Sequence, residues 1–533
     1  MRPIRTIFTH LSKHERIALF FFVFLLAAGA AGGITDFINT GTELAPVRGG
    51  SWAEGIVGAP SIVNPVFSSS EADQALSLLV YGSFDRLLDA LEEEQGGAYV
   101  ATLKENLFWS DGKPLTADDV VWTVEAIQNP DMRSPLFKNW QGIGVERLRE
   151  LQVKFTLPSP YVFFKDNLRR LQIVPKHAWD GVSRDSARFS RYSLEPVGSG
   201  PFKVKRIARH QDGSVESYRL EQNPYFPGEK PYLKSFSVNF YKDERTLLKA
   251  FHAGTIYGFG SALPPDDDGS VSRGTVEKMP MSRYYAVFWN AGKNPALKDK
   301  DLRLALDRAA PRTEMKEKIF GGNATIIEGP AVYGDRLLSD ARDAFDLAAA
   351  KEFFAVSDEE DTTITLTVPA AGFLTETAEI LKKRWEEIGI REVAIRALSP
   401  DEVFEAVRSD DYEAILFGNI LENPRDLFSF WHSSQRGYPG LNLAHYASPE
   451  ADALMEEIRG TGNEETQNAK LQSLELIIAG NSPAIFLYSV PFFYVHEERL
   501  GGFDVSRVVS APADRFRNVS EWYVIRERVI KSK

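Results

Sequence analysis

The alternation of strand and helix patterns across residues 364–420 constrains the fold of this chain most strongly. The segment ITLTV predicts a strand, and TETAEILKKRWEEI predicts a helix that starts at Thr375 and ends before Gly389. VAIRAL and residues 413–420 predict two more strands, and DEVFEAVRS predicts a helix between them. This order predicts an α/β fold with a parallel sheet and right-handed crossovers. The apolar residues of the first helix recur at helical spacing: Ala378, Leu381, Trp385 and Ile388.

The carboxyl end of the third predicted strand is a candidate binding site, because open sheets of this kind bind ligands there. Phe417 offers an aromatic wall, and Gly418 allows a close backbone approach. Amide side chains in the same segment can donate and accept hydrogen bonds. Trp289 and Asn290 are predicted to lie at a strand end where the same lobe begins. The aromatic residues could equally be core. The further candidates are Asn419, Asn423, Trp289, Asn290 and Trp431.

Length and composition bound the class of protein. The chain of 533 residues is too long for one ordinary core, which predicts two or three lobes. Residues 97–240 are typical of meander strands, so we expect a mixed fold. A net charge of −12 argues against a nucleic-acid-binding surface. The absence of cysteine excludes disulfides, thiolate nucleophiles, cysteine zinc sites and lipid-anchored cysteines.

The N-terminus predicts that most of the chain works outside the cytoplasm. Basic residues precede an uncharged apolar run at 17–34, and Asp36 and Glu43 follow it, which places the N-terminus in the cytoplasm. The run is short for a membrane-spanning helix, and AGA at 28–30 resembles a cleavage site. We expect an uncleaved transmembrane helix that anchors the protein to the membrane. The alternative is a cleaved signal peptide that leaves a secreted or periplasmic protein.

The stretch FWSDGKPLTADDVVWTV raises the question of a carboxylate site. SDG is a turn signal that includes Asp111. Thr116 is well placed as a helix N-cap, with Asp118 and Asp119 in the first turn, where acids favour the helix dipole. We therefore expect structural roles for these acids. A carboxylate active site is the alternative.

Catalytic signatures are not found in the sequence. Nucleophile-elbow, phosphate-cradling and dinucleotide-binding motifs are missing, and the eight histidines lack the spacing of metal ligands. We expect no catalytic residues, metal or cofactor. A carboxylate-based hydrolase is kept as an alternative.

Seven segments in chain order carry a resemblance to a known family. They are GAPSIVNPVF, LLVYGSFDRLL, LFWSDGKPLTADDVVWTV, VGSGPFKV, LEQNPYFPGEKPYLKSFSVNFYKD, FWNAGKNPALKDKDLRLALDRA and SPAIFLY. Together they resemble the extracytoplasmic solute-binding proteins of ABC importers, in the peptide-, oligopeptide- and nickel-binding class. Because the matches span almost the whole chain after the N-terminal segment, the resemblance is specific.

The resemblance implies a periplasmic-binding-protein-like type II fold, with two lobes around a cleft plus an extra domain. It implies capture of a peptide or peptide-like solute and delivery to ABC permease subunits. We expect a monomer. A non-transport surface or chaperone-like protein on the same fold is an alternative. The predicted division is 1–45 for the cytoplasmic N-terminus, anchor and tether, 46–75 with 193–285 and 490–533 for lobe I, 76–192 for the extra domain, and 286–489 for lobe II.

One departure from the family concerns the ligand's amino group. In peptide binders that this chain resembles, an aspartate after the third α/β strand pairs with that group. Here the corresponding position holds Ile420, and the nearest acids are Glu422 and Asp426. The resemblance therefore implies peptides engaged through their backbone, or ligands without a charged amine at that point. Glu422 as a replacement partner stays open.

Overall fold

The computed structural model describes residues 12–94, 97–262, 274–332, 340–357, 359, 361–504 and 509–531. These residues form a two-stranded ribbon and three larger sheets. We use lobe I, extra domain and lobe II for the units built around the seven-stranded, four-stranded and six-stranded sheets. The strands of 88–156 and 202–222 confirm the predicted meander region.

The sheet of lobe I collects strands from distant parts of the chain. Ser51–Val57 lies at its centre and pairs in parallel with Ser235–Tyr241 and Gly258–Ser261. The other pairs are antiparallel. Helices Glu71–Val80 and Glu244–His252 accompany it. The full strand order is Thr275–Met279, Phe492–His496, Gly258–Ser261, Ser51–Val57, Ser235–Tyr241, Val215–Gln222 and Phe202–Arg209.

The sheet of lobe II contains the three strands that the sequence predicted. Thr363–Pro369 pairs in parallel with both Glu392–Leu398 and Ala414–Ile420, as expected. Arg283–Trp289 joins antiparallel to Ala414–Ile420, so the sheet is mixed. The order is Thr325–Ile326, Ala484–Ser489, Arg283–Trp289, Ala414–Ile420, Thr363–Pro369 and Glu392–Leu398. Its helices are Lys300–Arg308, Arg312–Phe320, Leu347–Val356, Gly372–Ile388, Pro400–Arg408, Phe428–Trp431, Pro449–Gly460 and Glu464–Asn481.

The helix predicted from Thr375 begins earlier, at Gly372. Ala371 is its N-cap, and the Thr375 hydroxyl donates to the Ala371 carbonyl at 3.3 Å from inside the first turn. The predicted start was wrong because a threonine before a helical pattern reads equally well as a cap or as a first-turn residue.

The extra domain is built on an antiparallel sheet. Its strand order is Leu88–Glu94, Ala98–Leu103, Gln152–Thr156 and Gly144–Arg149. Its helices are Phe84–Leu87, Ala117–Gln128, Phe137–Trp140, Phe164–Arg170, Lys176–Trp179 and Arg184–Ala187.

The hydrophobic cores do not follow the three sheets one to one. A single continuous cluster joins lobe I to the extra domain, and it includes Trp52 of lobe I with Trp109 and Trp179 of the extra domain. Among the described residues of lobe II, two clusters lie on opposite faces of its sheet. Neighbouring strand residues such as Leu416 and Ile415 enter different clusters, because side chains alternate between faces.

The strand Arg283–Trp289 crosses the predicted boundary between lobe I and lobe II at 285/286 and lies wholly in the lobe II sheet. The boundary therefore belongs before Arg283. The chain passes between the lobes here and again between Ser489 and Phe492. The remaining division of the chain stays a prediction.

The predicted apolar run at 17–34 lies within a longer helix, Lys13–Gly41. In the part of the chain that the structure describes, no helix is both long enough and apolar enough to cross a membrane. The expected transmembrane helix stays a prediction. Directly after this helix, Thr42–Val47 pairs antiparallel with Ile525–Ile530 in the two-stranded ribbon.

Candidate ligand-binding cleft

Three adjoining cavities lie where the lobes and the extra domain meet. The inner cavity, 290 Å³, lies between lobe I and the extra domain. The middle cavity, 230 Å³, also touches lobe II through Glu422. The outer cavity, 410 Å³, lies between the extra domain and lobe II. The inner and middle cavities share Leu78, Arg170, Ser510, Asp514 and Arg517, and the middle and outer cavities share Pro135, Asn139, Asn167 and Glu422.

Charged side chains organise the inner and middle cavities. Arg517 Nε donates to Asp514 Oδ1 at 2.7 Å. Asp514 Oδ2 also accepts from the backbone N–H groups of Ser510 and Ala511, at 2.9 and 3.0 Å. Arg170 Nη1 donates to the backbone carbonyl of Glu422 at 2.7 Å. Lobe I and the extra domain thus each present an arginine to the cleft.

Glu422 lies where the middle and outer cavities meet. Asn139 of the extra domain donates a hydrogen bond to its carboxylate. The surrounding protein removes water and raises the pKa of Glu422, while Arg170 and Arg517 act in the opposite direction. The carboxylate therefore already has two cations in its surroundings before any ligand enters.

The outer cavity has an apolar wall and a polar rim. Ile420 and Leu441 contribute large aliphatic side chains that remain 49% and 40% exposed. Ile143 and Leu157 line the same cavity and are buried. The rim carries amide side chains: Asn139, Gln141, Asn167, Asn423 and Gln435.

A second contact between the extra domain and lobe II borders the outer cavity. Arg459 binds Asp426 through two hydrogen bonds of 2.8 Å each, and Tyr161 donates to Asp426 at 2.9 Å. Burial, followed by the charge of Asp426, raises the pKa of Tyr161. Val162 N–H donates to the Arg459 carbonyl at 2.9 Å, and Phe163 is buried in a lobe II core cluster. Asp426 is therefore not a free acid.

Trp289 and Asn290 do not lie at the cleft, contrary to the sequence-based expectation. Trp289 pairs with Ala414, at the opposite end of the strand from Ile420, because Arg283–Trp289 runs antiparallel to it. Trp289 packs on Trp385 with ring centroids 5.8 Å apart. Asn290 is buried and donates to Asp410 at 3.0 Å.

Four other candidates support the lobe II sheet. Asn419 and Trp431 are buried, and both donate to the Tyr284 hydroxyl, at 2.9 and 3.0 Å. Phe417 packs on the core, and Gly418 faces the Tyr285 ring, where an added Cβ would lie 2.7 Å from a ring carbon. These four residues line none of the three cavities. The candidates that do line them are Ile420, Glu422 and Asn423.

The structure adds residues that no sequence pattern singled out. Asn139, Tyr161 and Arg170 come from the extra domain, and Asp514 and Arg517 from near the C-terminus. They are far apart in sequence, and none lies in a recognisable motif. Their common location depends on the packing of three units, which local patterns do not encode.

The aspartates of the stretch FWSDGKPLTADDVVWTV have structural roles. Thr116 and Asp119 form a capping box at the helix Ala117–Gln128, as the sequence predicted. Asp119 is buried and also accepts from the Lys176 N–H at 2.8 Å, while exposed Asp118 pairs with Arg147 at 2.7 Å. Asp111 pairs with His177 at 2.9 Å. The described residues contain no group of three or more acidic or histidine side chains that could hold a metal ion.

Comparisons with known proteins agree with this architecture. Residues 86–438 match the model of bacterial extracellular solute-binding proteins, family 5 middle region. The chain is 25% identical over 517 residues to the oligopeptide-binding protein AppA of Bacillus subtilis, covering 90% of this chain and 92% of that protein. It is 24% identical over 418 residues to the probable D,D-dipeptide-binding periplasmic protein DdpA of Escherichia coli, covering 75% of this chain and 78% of that protein.

Solved structures of solute-binding proteins also superpose on this chain. The ABC transporter substrate-binding protein CtaP of Listeria monocytogenes superposes with a TM-score of 0.74 at 26% identity, covering 90% of this chain and 99% of that chain. The B. subtilis AppA structure with a nonapeptide superposes with a TM-score of 0.70 at 23% identity, covering 90% and 100%.

Lobes of mixed sheet around a cleft, with an added antiparallel domain, define a solute-binding protein of the ABC importer class with the type II fold. The chain belongs to the bacterial extracellular solute-binding proteins of family 5.

Proposed function

We propose that this protein captures a peptide or peptide-like solute in the three adjoining cavities and delivers it to an ABC permease. The observation that carries the proposal is the shared lining of the cavities, which forms one path between lobe I, the extra domain and lobe II. An extended ligand placed along this path would touch all three units. The names of AppA and DdpA, which describe oligopeptide and D,D-dipeptide binding, support this ligand class.

The lining suits a peptide backbone. Peptides present N–H donors and C=O acceptors along their length, and amide side chains such as Asn139, Asn167 and Asn423 supply both. Arg170 and Arg517 add charged donors. Closure of the lobes around the ligand would exclude water and strengthen each of these contacts.

We propose that the ligand does not anchor a free α-amine near Ile420. The side chain there is aliphatic, and Glu422 is already shared with Asn139, Arg170 and Arg517. A buried amine without its own counter-charge costs several kcal/mol. Peptides held through their backbone, or ligands without an amine at this point, avoid that cost.

Calorimetry with matched peptides that carry free or acetylated N-termini tests this reading. We expect the acetylated form to bind at least as tightly. If the free amine binds more than about tenfold tighter, Glu422 has taken the role of the aspartate found in the peptide binders.

The ligand itself is best identified by native mass spectrometry of the purified protein, followed by titration of synthetic peptides. Arg170→Ala should weaken binding by about tenfold or more, because charge-assisted hydrogen bonds contribute about 1.5–3 kcal/mol. Arg408→Ala is the matched control, since Arg408 is exposed and pairs with Glu405 on a surface helix. Equal affinities for the two variants would remove the inner and middle cavities from the binding path.

Two alternatives have separate readouts. A carboxylate-based hydrolase would release products from a bound peptide, which chromatography of the incubated ligand would detect. A surface or chaperone-like protein would bind peptides without supporting their uptake. We therefore expect that a strain lacking this protein loses ABC-dependent uptake of the identified ligand, and that the intact chain restores it.

We propose that binding takes place outside the cytoplasm after the N-terminal segment has directed export. The paired strands Thr42–Val47 and Ile525–Ile530 begin after the helix Lys13–Gly41, so cleavage near Ala31 would leave the ribbon intact. Mass spectrometry of the N-terminus in soluble and carbonate-washed membrane fractions tests this. Intact chain found only in the washed membranes would contradict cleavage.

A further inference from the structure

The outer cavity is the largest of the three, and among the described residues all of its lining comes from the extra domain and lobe II. We propose that it is a second ligand subsite, which binds an extension without positive charge on a peptide-like ligand held in the middle cavity. This proposal rests on the binding function proposed above and adds to it a length and a chemical preference.

The apolar wall gives such an extension a driving force. Ile420 and Leu441 line the same cavity, and each leaves two-fifths or more of its surface exposed to water. Phe430 adds a half-buried aromatic ring. Covering aliphatic surface with a ligand removes it from water, which favours binding in proportion to the area covered.

The rim gives the extension hydrogen-bonding partners that are neutral. Asn423 Oδ1 accepts the Arg425 N–H at 3.0 Å, which leaves its amide N–H groups for a ligand. Gln141, Asn167 and Gln435 stand on the same rim. Amide side chains match the N–H and C=O groups of a peptide without requiring charge.

The charges of the cavity disfavour a cationic extension. Asp426 is held by Arg459 and Tyr161, and Glu422 is held by Asn139 with two arginines in its surroundings. Lys138 lines the cavity and has no carboxylate within 4 Å in the described chain, and burial lowers its pKa. A ligand cation would therefore meet no free acid.

A hydrogen bond lies between the middle cavity and the outer cavity. Asn139 and Glu422 both line the two cavities, and their side chains bond to each other. A ligand that extends past Glu422 must replace or pass this bond. A ligand held in the middle cavity therefore reaches the outer cavity only if it extends past this pair.

A peptide-length series tests the proposal on the full protein. Alanine peptides of two to six residues are titrated by calorimetry, and the longest is then extended at either end by leucine, asparagine, aspartate or lysine. We expect affinity to rise by about tenfold or more once the chain reaches the outer cavity, since one buried aliphatic group supplies that much. Leucine or asparagine should bind best and lysine worst.

A variant that fills the outer cavity tests whether the gain in affinity with peptide length comes from that cavity. Leu441→Trp should abolish the gain in affinity from added length, so that long peptides bind no more tightly than short ones. Leu476→Trp is the control, because Leu476 is 75% exposed on the helix Glu464–Asn481 and lines none of the cavities. Ser429→Phe fills the same cavity from another wall and serves if Leu441→Trp does not fold.

Affinity independent of length, a preference for lysine, or equal weakening of short and long peptides by Leu441→Trp would overturn the second subsite alone. Failure of every peptide to bind would instead overturn the proposed peptide-binding function, and the subsite with it.

Discussion

The extra domain is attached to its two neighbours in different ways. Toward lobe I it shares one continuous hydrophobic core that includes several fully buried tryptophans. Toward lobe II it makes polar contacts from Asn139, Tyr161, Val162 and Arg170. It also buries Phe163 in a lobe II core cluster, against which Tyr161 and Val162 pack. We infer that the extra domain moves with lobe I, and that the cleft opens along its boundary with lobe II.

The magnitudes support this reading. A fully buried large apolar side chain contributes about 1.5–3 kcal/mol, and the shared core contains many of them. A hydrogen bond contributes about 0.5–1.5 kcal/mol net. The lobe II boundary combines a few hydrogen bonds with the packing of Phe163, Tyr161 and Val162 beside a cavity, so it is the weaker of the two.

The largest expected effect is a loss of stability caused by a substitution in lobe I. Arg515 is fully buried and donates to Glu54 at 3.1 Å and to Glu71 at 2.9 Å. Arg515→Met would leave buried Glu54 without its cation, which should lower the free energy of unfolding by about 3–5 kcal/mol in urea denaturation.

Because the core is shared, lobe I and the extra domain should lose their tryptophan fluorescence in one transition in this variant. Separate transitions for the two units would contradict the conclusion that lobe I and the extra domain move and unfold together. Arg408→Ala, which removes an exposed ion pair, should cost at most about 1 kcal/mol.

The next effect lies inside the extra domain. Asp119→Asn should cost about 1–3 kcal/mol, because its carboxylate accepts three N–H groups, from Thr116, Lys176 and Trp109, and an amide nitrogen cannot accept. Asp118→Asn should cost at most about 1 kcal/mol, since Asp118 and Arg147 are both exposed. Chemical denaturation of the two variants measures the difference. Equal costs would contradict the role given to burial.

A smaller effect tests the boundary with lobe II directly. Tyr161→Phe removes the hydrogen bond to Asp426 and should shift the ligand-free protein toward an open form by about 1 kcal/mol. Small-angle scattering should show a larger radius of gyration, while the urea midpoint changes little. Tyr438→Phe is the control, because Tyr438 is exposed and lines none of the cavities. An unchanged radius would show that other contacts hold the boundary.

The smallest effect is a pH dependence at Glu422. The closed cleft raises its pKa above the ordinary 4.5, so the closed form binds a proton more tightly than an open, hydrated form. Protonation therefore favours closure below the raised pKa, and this contribution is lost as the pH rises through it. Ligand affinity should therefore be higher at about pH 5 than at about pH 8.

Glu422→Gln should remove that dependence and retain the higher affinity, because its carbonyl can still accept from Asn139. Calorimetry at both pH values gives the comparison. Weaker binding at low pH in the unmodified protein would reverse the sign and contradict this assignment.

Local patterns predicted the parallel part of lobe II well. ITLTV, VAIRAL and residues 413–420 became neighbouring parallel strands, because each has a run of apolar residues and a helix pattern between them. The direction of Arg283–Trp289 was beyond reach of such patterns. A strand has the same sequence pattern whether it joins a sheet parallel or antiparallel. Because Arg283–Trp289 is antiparallel, Trp289 and Asn290 lie at the end of the sheet opposite Ile420.

The composition of the cleft was predicted only in part. Ile420 ends a strand that the sequence located, and Glu422 and Asn423 follow it, so the sequence already pointed to these three cavity-lining positions. Their part in ligand binding stays a prediction. Asn419 and Trp431 were misassigned because a hydrogen-bonding side chain looks alike whether its partner is a ligand or, as here, the buried Tyr284 hydroxyl. The extra-domain residues were missed because only tertiary packing brings them near lobe II.

The buried pair of Glu54 and Arg515 joins positions 461 residues apart in the chain. It cannot form until nearly the whole polypeptide has been synthesised and has crossed the membrane. The strands of the lobe II sheet all come from residues 283–489, so lobe II can form before the C-terminal residues have been synthesised. Closing the longer loop costs more chain entropy, so we expect lobe II to fold first and lobe I last, and a chain truncated before Pro512 to stay bound by chaperones with its first lobe unfinished.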